Sequence, residues 1–219
     1  LAGAADQVQG FRPRAALLFS SFAGEDHTPV LEGIRRAFGD LELAGCTTDG
    51  EVSSVLGFGR RSVALALLGA DRLEFAAVLA EDFSADPEGS LTRAAQQAKA
   101  RLSQPPCLCL AYPDGLTTIG IAVDEVLRRV LGPELTVTGG TAGDCFELKR
   151  TLQFGADRAV SNGAALLFMA GDLRQAARVG CGWTPVGRVH RVTEGAGNVV
   201  RRIGERTARD FMRHYLGEI

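Results

Sequence analysis

Residues 41–54 read Leu-Glu-Leu-Ala-Gly-Cys-Thr-Thr-Asp-Gly-Glu-Val-Ser-Ser, an apolar run that breaks at Gly45 into hydroxyls and acids. Thr47, Thr48, Asp49 and Glu51 place donors and acceptors at the mouth of a buried strand. Two carboxylates there suit an ammonium group, because hydrogen bonds between charged partners are the strong ones. The same residue types also make ordinary turns, in which Asp-Gly and threonine hydroxyls bond their own backbone. The device returns 94 residues later (45 to 139), where Gly139-Gly-Thr-Ala142 follows Leu135–Thr138. Thr141 and Asp144 are the polar groups of that second turn, and Asp114 closes another strand through Pro-Asp-Gly. These seven residues are the candidate ligand contacts. Trp183, the only tryptophan, is either a pocket wall or a core wedge.

Cys46 and Thr47 permit a second chemistry, nucleophilic attack in a hydrolase or transferase. Nothing in the sequence brings His27 or His190 beside them, and Cys46 equally suits a small apolar filler at a strand end. The chain has no P-loop, no dinucleotide fingerprint after its first strand and no His-rich cluster, so neither a cofactor nor a metal is expected. Gly195-Ala-Gly197 reads as a hairpin turn, since no helix opens after it to cradle a phosphate. Binding without catalysis is the expectation, with an enzyme or an interaction scaffold as alternatives.

The elements that must position these groups are legible in outline. With 219 residues, 46% of them hydrophobic, the chain can bury a sizeable core as one large domain or two small ones. A net charge of −2 offers no footprint for nucleic acid. No apolar run approaches the ~20 residues that span a bilayer, and no secretory signal opens the chain, so no membrane partner is expected. The five cysteines, Cys46, Cys107, Cys109, Cys145 and Cys181, are odd in number and sit in apolar runs or at strand ends. They read as reduced thiols in a cytoplasmic protein, and Cys107 and Cys109 as neighbours on one strand face. The chain opens on Leu1, not Met, as a piece of a longer protein would.

Residues 15–20 predict a buried strand, and Thr28 an N-cap with Pro29 opening a helix to Phe38. A strand over 41–45 follows, then a long loop over 47–60. Residues 62–69 and 72–80 read as two strands of one hairpin. A second helix opens at Pro87 and runs to about Leu102, and residues 107–112 form a strand. Thr117 or Thr118 caps a third helix whose stripe runs from Ile119 to Leu131. Strands are expected over 135–138, 150–154, 157–161, 163–170 and 173–182. Residues 188–193 and 199–203 follow as short segments, and a final helix covers 207–216.

Strand, loop, helix, strand, Gly-Thr turn and strand pair occur twice, over 15–80 and 107–181. Ser62–Asp71 matches Gly163–Asp172 at an offset of 101 residues (71 to 172), so the second copy carries an insertion near 146–161. The expected fold is α/β, with two similar βαβββ-type halves forming a mixed or mainly antiparallel sheet covered by helices. One sheet and two stacked sheets fit the sequence equally.

Four segments together resemble the N-terminal module of the FIST family (F-box and intracellular signal transduction domains). They are Gly45–Glu51, Gly139–Asp144, Gly180-Cys-Gly-Trp-Thr-Pro-Val-Gly187 and Val192-Thr-Glu-Gly-Ala-Gly-Asn198, and Arg202–Ala208 resembles the family's passage toward a C-terminal module. The resemblance covers about residues 15–216. It implies an N-terminal-like domain over 14–193, with a hairpin and helix over 194–219. It further implies a sensory input domain that binds a small ligand, amino acids among them. Its partners would then be that ligand and a C-terminal FIST module or attached signalling domains.

Overall fold

Side chains of Ala15–Ser20 (β1) alternate between two apolar surroundings, as a strand packed on both faces requires. Ala16 and Leu18 face one cluster, while Ala15, Leu17 and Phe19 face another. The computed structural model that places them describes residues 10, 12–22, 26–54, 57–117, 121–178, 180, 182, 184–196 and 199–217. Strand β1 pairs in parallel with Glu42–Thr47 (β2) and antiparallel with Val63–Leu68 (β5). Gln153–Phe154 (β9) and Ala159–Val160 (β10) extend this sheet, giving the order β10-β9-β2-β1-β5. A second sheet has the order β6-β11-β7-β8, from Leu73–Glu81, Gly163–Gly171, Leu108–Pro113 and Thr136–Gly139. Here β7 runs parallel to β8 and antiparallel to β11.

The two sheets stack. Leu17, Phe19, Ala44 and Cys46 from the first meet Tyr112, Ala165, Leu167 and Met169 from the second. Outside the first sheet, Thr28–Phe38 (α1) buries Leu31 and Ile34 against Leu18 and Leu43. Outside the second, Pro87–Arg101 (α2) and Val123–Leu131 (α3) cover Cys109, Leu166 and Phe168 with Leu91, Ala95 and Leu127. The fold is therefore α/β, in four layers with two mixed sheets at the centre. The residues from Gly163 to Ala170 of β11 are all buried, as expected of a central strand packed on both faces.

Local chemistry sets the helix ends. Pro29 sits in the first turn of α1, and the Gly39 N–H closes its last turn on Arg35 O at 2.8 Å. The Asp86 carboxylate caps α2 by accepting from Gly89 N at 2.9 Å, a contact worth about 1 kcal/mol. Thr28 is the first helical residue of α1, not its cap; its own N–H is taken by Asp26 Oδ1 at 2.9 Å.

The structure corrects several local expectations. Residues 63–68 and 73–81 are strands but not a hairpin: β5 joins β1 in one sheet and β6 joins β11 in the other. The turn between them carries the chain across the stack. Helix α3 begins at Val123, and Thr117 does not cap it: its N–H, like that of Leu116, donates to Asp114 Oδ1 in a turn of its own. Thr118 and Ile119 lie outside the described residues. Strand β11 ends at Gly171, where Leu173 N bonds back to Gly171 O at 2.9 Å, and no strand follows among the described residues up to 178. The expected loop over 47–60 contains the short hairpin Glu51–Ser53 (β3) and Gly57–Gly59 (β4). Cys107 precedes β7 and packs into the layer between the sheets, while Cys109 points to the helices, so the two thiols do not share a face.

Chain packing divides the molecule into Leu1–Ala176 and Ala177–Ile219. The second unit holds Val192–Ala196 (β12), Val199–Ile203 (β13) and Arg206–Thr207 (β14) in one antiparallel sheet, with Ala208–Leu216 (α4). Thr207 caps α4 through Asp210 N, and the His190 ring lies 4.8 Å from that of Phe211. The sequence boundary at residue 193 lies inside this unit. No described helix is long and apolar enough to cross a membrane.

Candidate functional site

Both Gly-Thr turns leave the carboxyl ends of parallel strands, β2 in the first sheet and β8 in the second. They meet directly: Gly143 N donates to Thr47 O at 2.9 Å. Gly143 lets the two turns approach closely, since a Cβ on it would lie 2.6 Å from Asp49 Oδ1 and push that carboxylate aside.

Most candidate groups are occupied by the fold itself. Thr47 is fully buried and clamps β9 at two points: its N–H donates to Leu152 O at 2.9 Å and its Oγ1 accepts from Leu152 N at 3.0 Å. Thr48 donates from Oγ1 to Glu51 Oε1 at 2.5 Å. The other Glu51 oxygen accepts from Ser21 Oγ at 2.8 Å and from Ser62 Oγ, so this carboxylate ties three segments together. Asp114 is buried, with Leu116 N at 2.7 Å and Thr117 N at 3.0 Å on one oxygen and Asn162 N at 3.0 Å on the other.

Asp144, also buried, accepts from Leu148 N at 2.9 Å, Lys149 N at 2.7 Å and Arg150 N at 3.1 Å. Burial works to raise its pKa, but the backbone donors of Lys149, Leu148 and Arg150 outweigh it, so the carboxyl is held below its ordinary value. This stabilisation is complete above the unfolded carboxylate's pKa of ~3.9 and is lost as pH falls through the lower folded value. Asp144→Ala should cost roughly 1.5–3 kcal/mol at neutral pH, the scale of hydrogen bonds to a charged group. Urea melts over a pH series test it: the gap between wild type and variant should close in acid, and a gap independent of pH would show that the charge is not what holds the loop.

Asp49 differs from the other acids. It is half-buried, its Oδ1 receives only Phe146 N at 3.3 Å, and its Oδ2 has no hydrogen-bond donor among the described residues. It opens on a cavity of about 140 Å³ that is also lined by Gly115, Leu116, Thr141, Asp144 and Phe146. Sequence reasoning missed Gly115, Leu116 and Phe146. The glycine of Pro-Asp-Gly was a signal for a close approach, since a Cβ there would lie 2.1 Å from Ala142 O. Nothing marked Phe146, whose backbone joins Cys145 and Leu148 in the left-handed region, with φ of 64°, 60° and 54° respectively. Trp183 and Cys181 lie outside the described residues.

A larger cavity, about 510 Å³, opens between Arg12, Arg14, Asp40 and Asp71 at the opposite ends of β1 and β2. It touches neither turn, and those four side chains belong to exposed residues. The smaller cavity is the better candidate because two separate turns and a carboxylate with an open oxygen converge on it.

Neither proposed nucleophile is poised to react. Cys46 is buried between the sheets, and that burial pushes its thiol up to about 12, far from the thiolate a nucleophile needs. The Thr47 hydroxyl is buried and engaged by Leu152. His27, the nearest candidate base in sequence, has its Nε2 3.0 Å from Ser20 Oγ. Cys46, Cys107, Cys109 and Cys145 are free thiols, and no group of three metal-ligating side chains occurs among the described residues.

The family model described as FIST N domain matches residues 14–206. No curated protein sequence matches the chain.

Proposed function

The chain belongs to the FIST N domain family, a family of sensory domains in signal transduction, and from that membership we propose a specific sensing role. It is a non-catalytic input domain that binds a small metabolite bearing an ammonium group, an amino acid or a close relative, in the cavity between the two Gly-Thr turns. One observation carries this reading: among Glu51, Asp114, Asp144 and Asp49, only Asp49 keeps a carboxylate oxygen without a donor, and it lines that cavity. A carboxylate in this position pairs with an ammonium group through charge-assisted hydrogen bonds. Thr141, exposed, lines the same wall beside Gly115 and Leu116.

The proposed output is a change passed to a C-terminal FIST module or an attached signalling domain in the cytoplasm. The proposed duplication gives the site its form. In each sheet the parallel pair sets a glycine against the preceding strand, Gly45 opposite Leu18 and Gly139 opposite Ala111. Likewise Ser62 N donates to Ser21 Oγ at 3.0 Å as Asn162 N donates to Asp114 Oδ2 at 3.0 Å. A cavity between two such turns is lined from both copies, as ligand sites between structural units often are.

A thermal-shift screen of amino acids and related amines tests the reading. A ligand present at ~100 times its dissociation constant adds about 2.7 kcal/mol to stability. Turnover of a hit would favour the hydrolase or transferase alternative, and a screen without any hit would favour an interaction scaffold.

A further inference from the structure

The two sheets differ at one equivalent place. In the first, the outer edge of β2 is covered: β9 pairs with it, Phe154 stands opposite Gly45, and the Phe154 side chain is fully buried beside the His27 ring at 4.8 Å. In the second, β8 is the last strand, and its outer edge carries no strand among the described residues. Thr136 N and Gly140 N donate inward to Cys107 O and Ala111 O. By alternation the N–H groups of Val137, Gly139 and Thr141 face outward.

Beside this edge lies a cavity of about 270 Å³, lined by Ala111, Ile121, Val123, Val137 and Gly139. By register Ala111 stands where Leu18 does, and Gly139 where Gly45 does. The cavity therefore matches the seat that Phe154 fills in the first half. Thr141 stands at the position of Thr47, but no hydrogen bond to its hydroxyl or N–H is made by any described residue.

We propose that the outer edge of β8 is a docking site for an extended peptide strand, held by Thr141 as Thr47 holds Leu152, with a bulky apolar side chain in the adjacent cavity. Peptides that add a strand to a free sheet edge draw affinity from main-chain bonds and specificity from such side-chain seats. The segment that fills the first seat indicates the pattern of the peptide: Thr47 holds Leu152, and Phe154, two positions on, stands opposite Gly45. The partner is thus a protein segment with an aromatic or large aliphatic residue two positions after the residue that Thr141 holds. This inference rests on the matching registers of the two sheets and not on the Asp49 cavity.

The probe is a free peptide of residues 149–156, titrated into the intact chain and followed by amide hydrogen exchange. We expect saturable binding that protects the amides of Val137, Gly139 and Thr141. Affinity should fall about thirtyfold or more when the peptide carries Phe154→Ala, as truncating a central anchor does. It should fall roughly tenfold for the protein variant Thr141→Val, which keeps the N–H but loses the hydroxyl. Absence of protection at β8 with the peptide at about 1 mM would overturn the proposal. Protection at Gly45 and Thr47 instead would mean that the peptide merely displaces β9, and would also overturn it. Dimerisation that protects β8 without peptide would assign the edge to a second copy of the chain.

Discussion

Alanine at Gly45 should be the most damaging small substitution in the chain. A Cβ there would sit 1.8 Å from Leu18 O, inside the parallel pair that begins the first sheet. The clash is with backbone, so no side chain can move to relieve it. The residue's φ of 159° adds little strain, and the cost is chiefly that of prising β2 from β1. Overpacking costs ~1–3 kcal/mol where side chains can yield, and with backbone on both sides we expect about 4 kcal/mol. For a chain of this size that lowers Tm by roughly 8–16 °C. Gly139 faces Ala111 O at 2.0 Å in the same way, but β8 is held by β7 alone, whereas β2 lies between β1 and β9. Gly139→Ala should therefore cost less, because an edge strand can shift outward. Thermal melts of both variants test this, and equal tolerance of alanine at the two positions would contradict the strand registers.

The second large effect is expected at Phe154. Its side chain is fully buried among Leu18, Leu31, Ile34 and Leu43, on a strand of only two residues at the edge of β2. Phe154→Ala should cost about 3–5 kcal/mol, the range for emptying a buried aromatic site. It should also loosen β9, whose remaining ties are the Thr47 clamp and two-residue ladders to β2 and β10. Hydrogen exchange at Leu152 then reports the second effect separately: its N–H is bonded to Thr47 Oγ1 and should exchange faster in the variant. A melt close to wild type, with Leu152 still protected, would show that the backbone ties to Thr47, β2 and β10 fix β9 without the Phe154 side chain.

Much of this architecture was legible in the sequence, because periodicity and turn chemistry are local. Residues 15–20 and the helix ending at Phe38 follow from apolar spacing, Pro29 and Gly39. Partner choice was not legible. The segments 63–68 and 73–81 look like a hairpin from their spacing, yet each finds its neighbour in a different sheet, and only long-range packing decides that. The site divides in the same way. The Gly-Thr turns stand out as paired motifs, but Thr47, Asp114, Asp144 and Asp49 are indistinguishable by residue type. What separates them is where donors arrive from: Leu152 for Thr47, Asn162 for Asp114, Lys149 and Arg150 for Asp144. Those donors lie up to 105 residues away in sequence, which no local pattern encodes.

The central claim, that Asp49 anchors a ligand's ammonium group between the two turns, is tested most directly by calorimetric titration of wild type and Asp49→Asn with the compound giving the largest thermal shift. The substitution keeps shape and removes charge. Affinity should fall by roughly 1.5–3 kcal/mol, the worth of a hydrogen bond to a charged group, which is about ten- to a hundredfold. The melting temperature of the unliganded protein should stay near wild type, since Asp49 holds the fold through one bond of 3.3 Å. Equal affinities for wild type and Asp49→Asn would contradict the account and leave Asp49 as a turn residue.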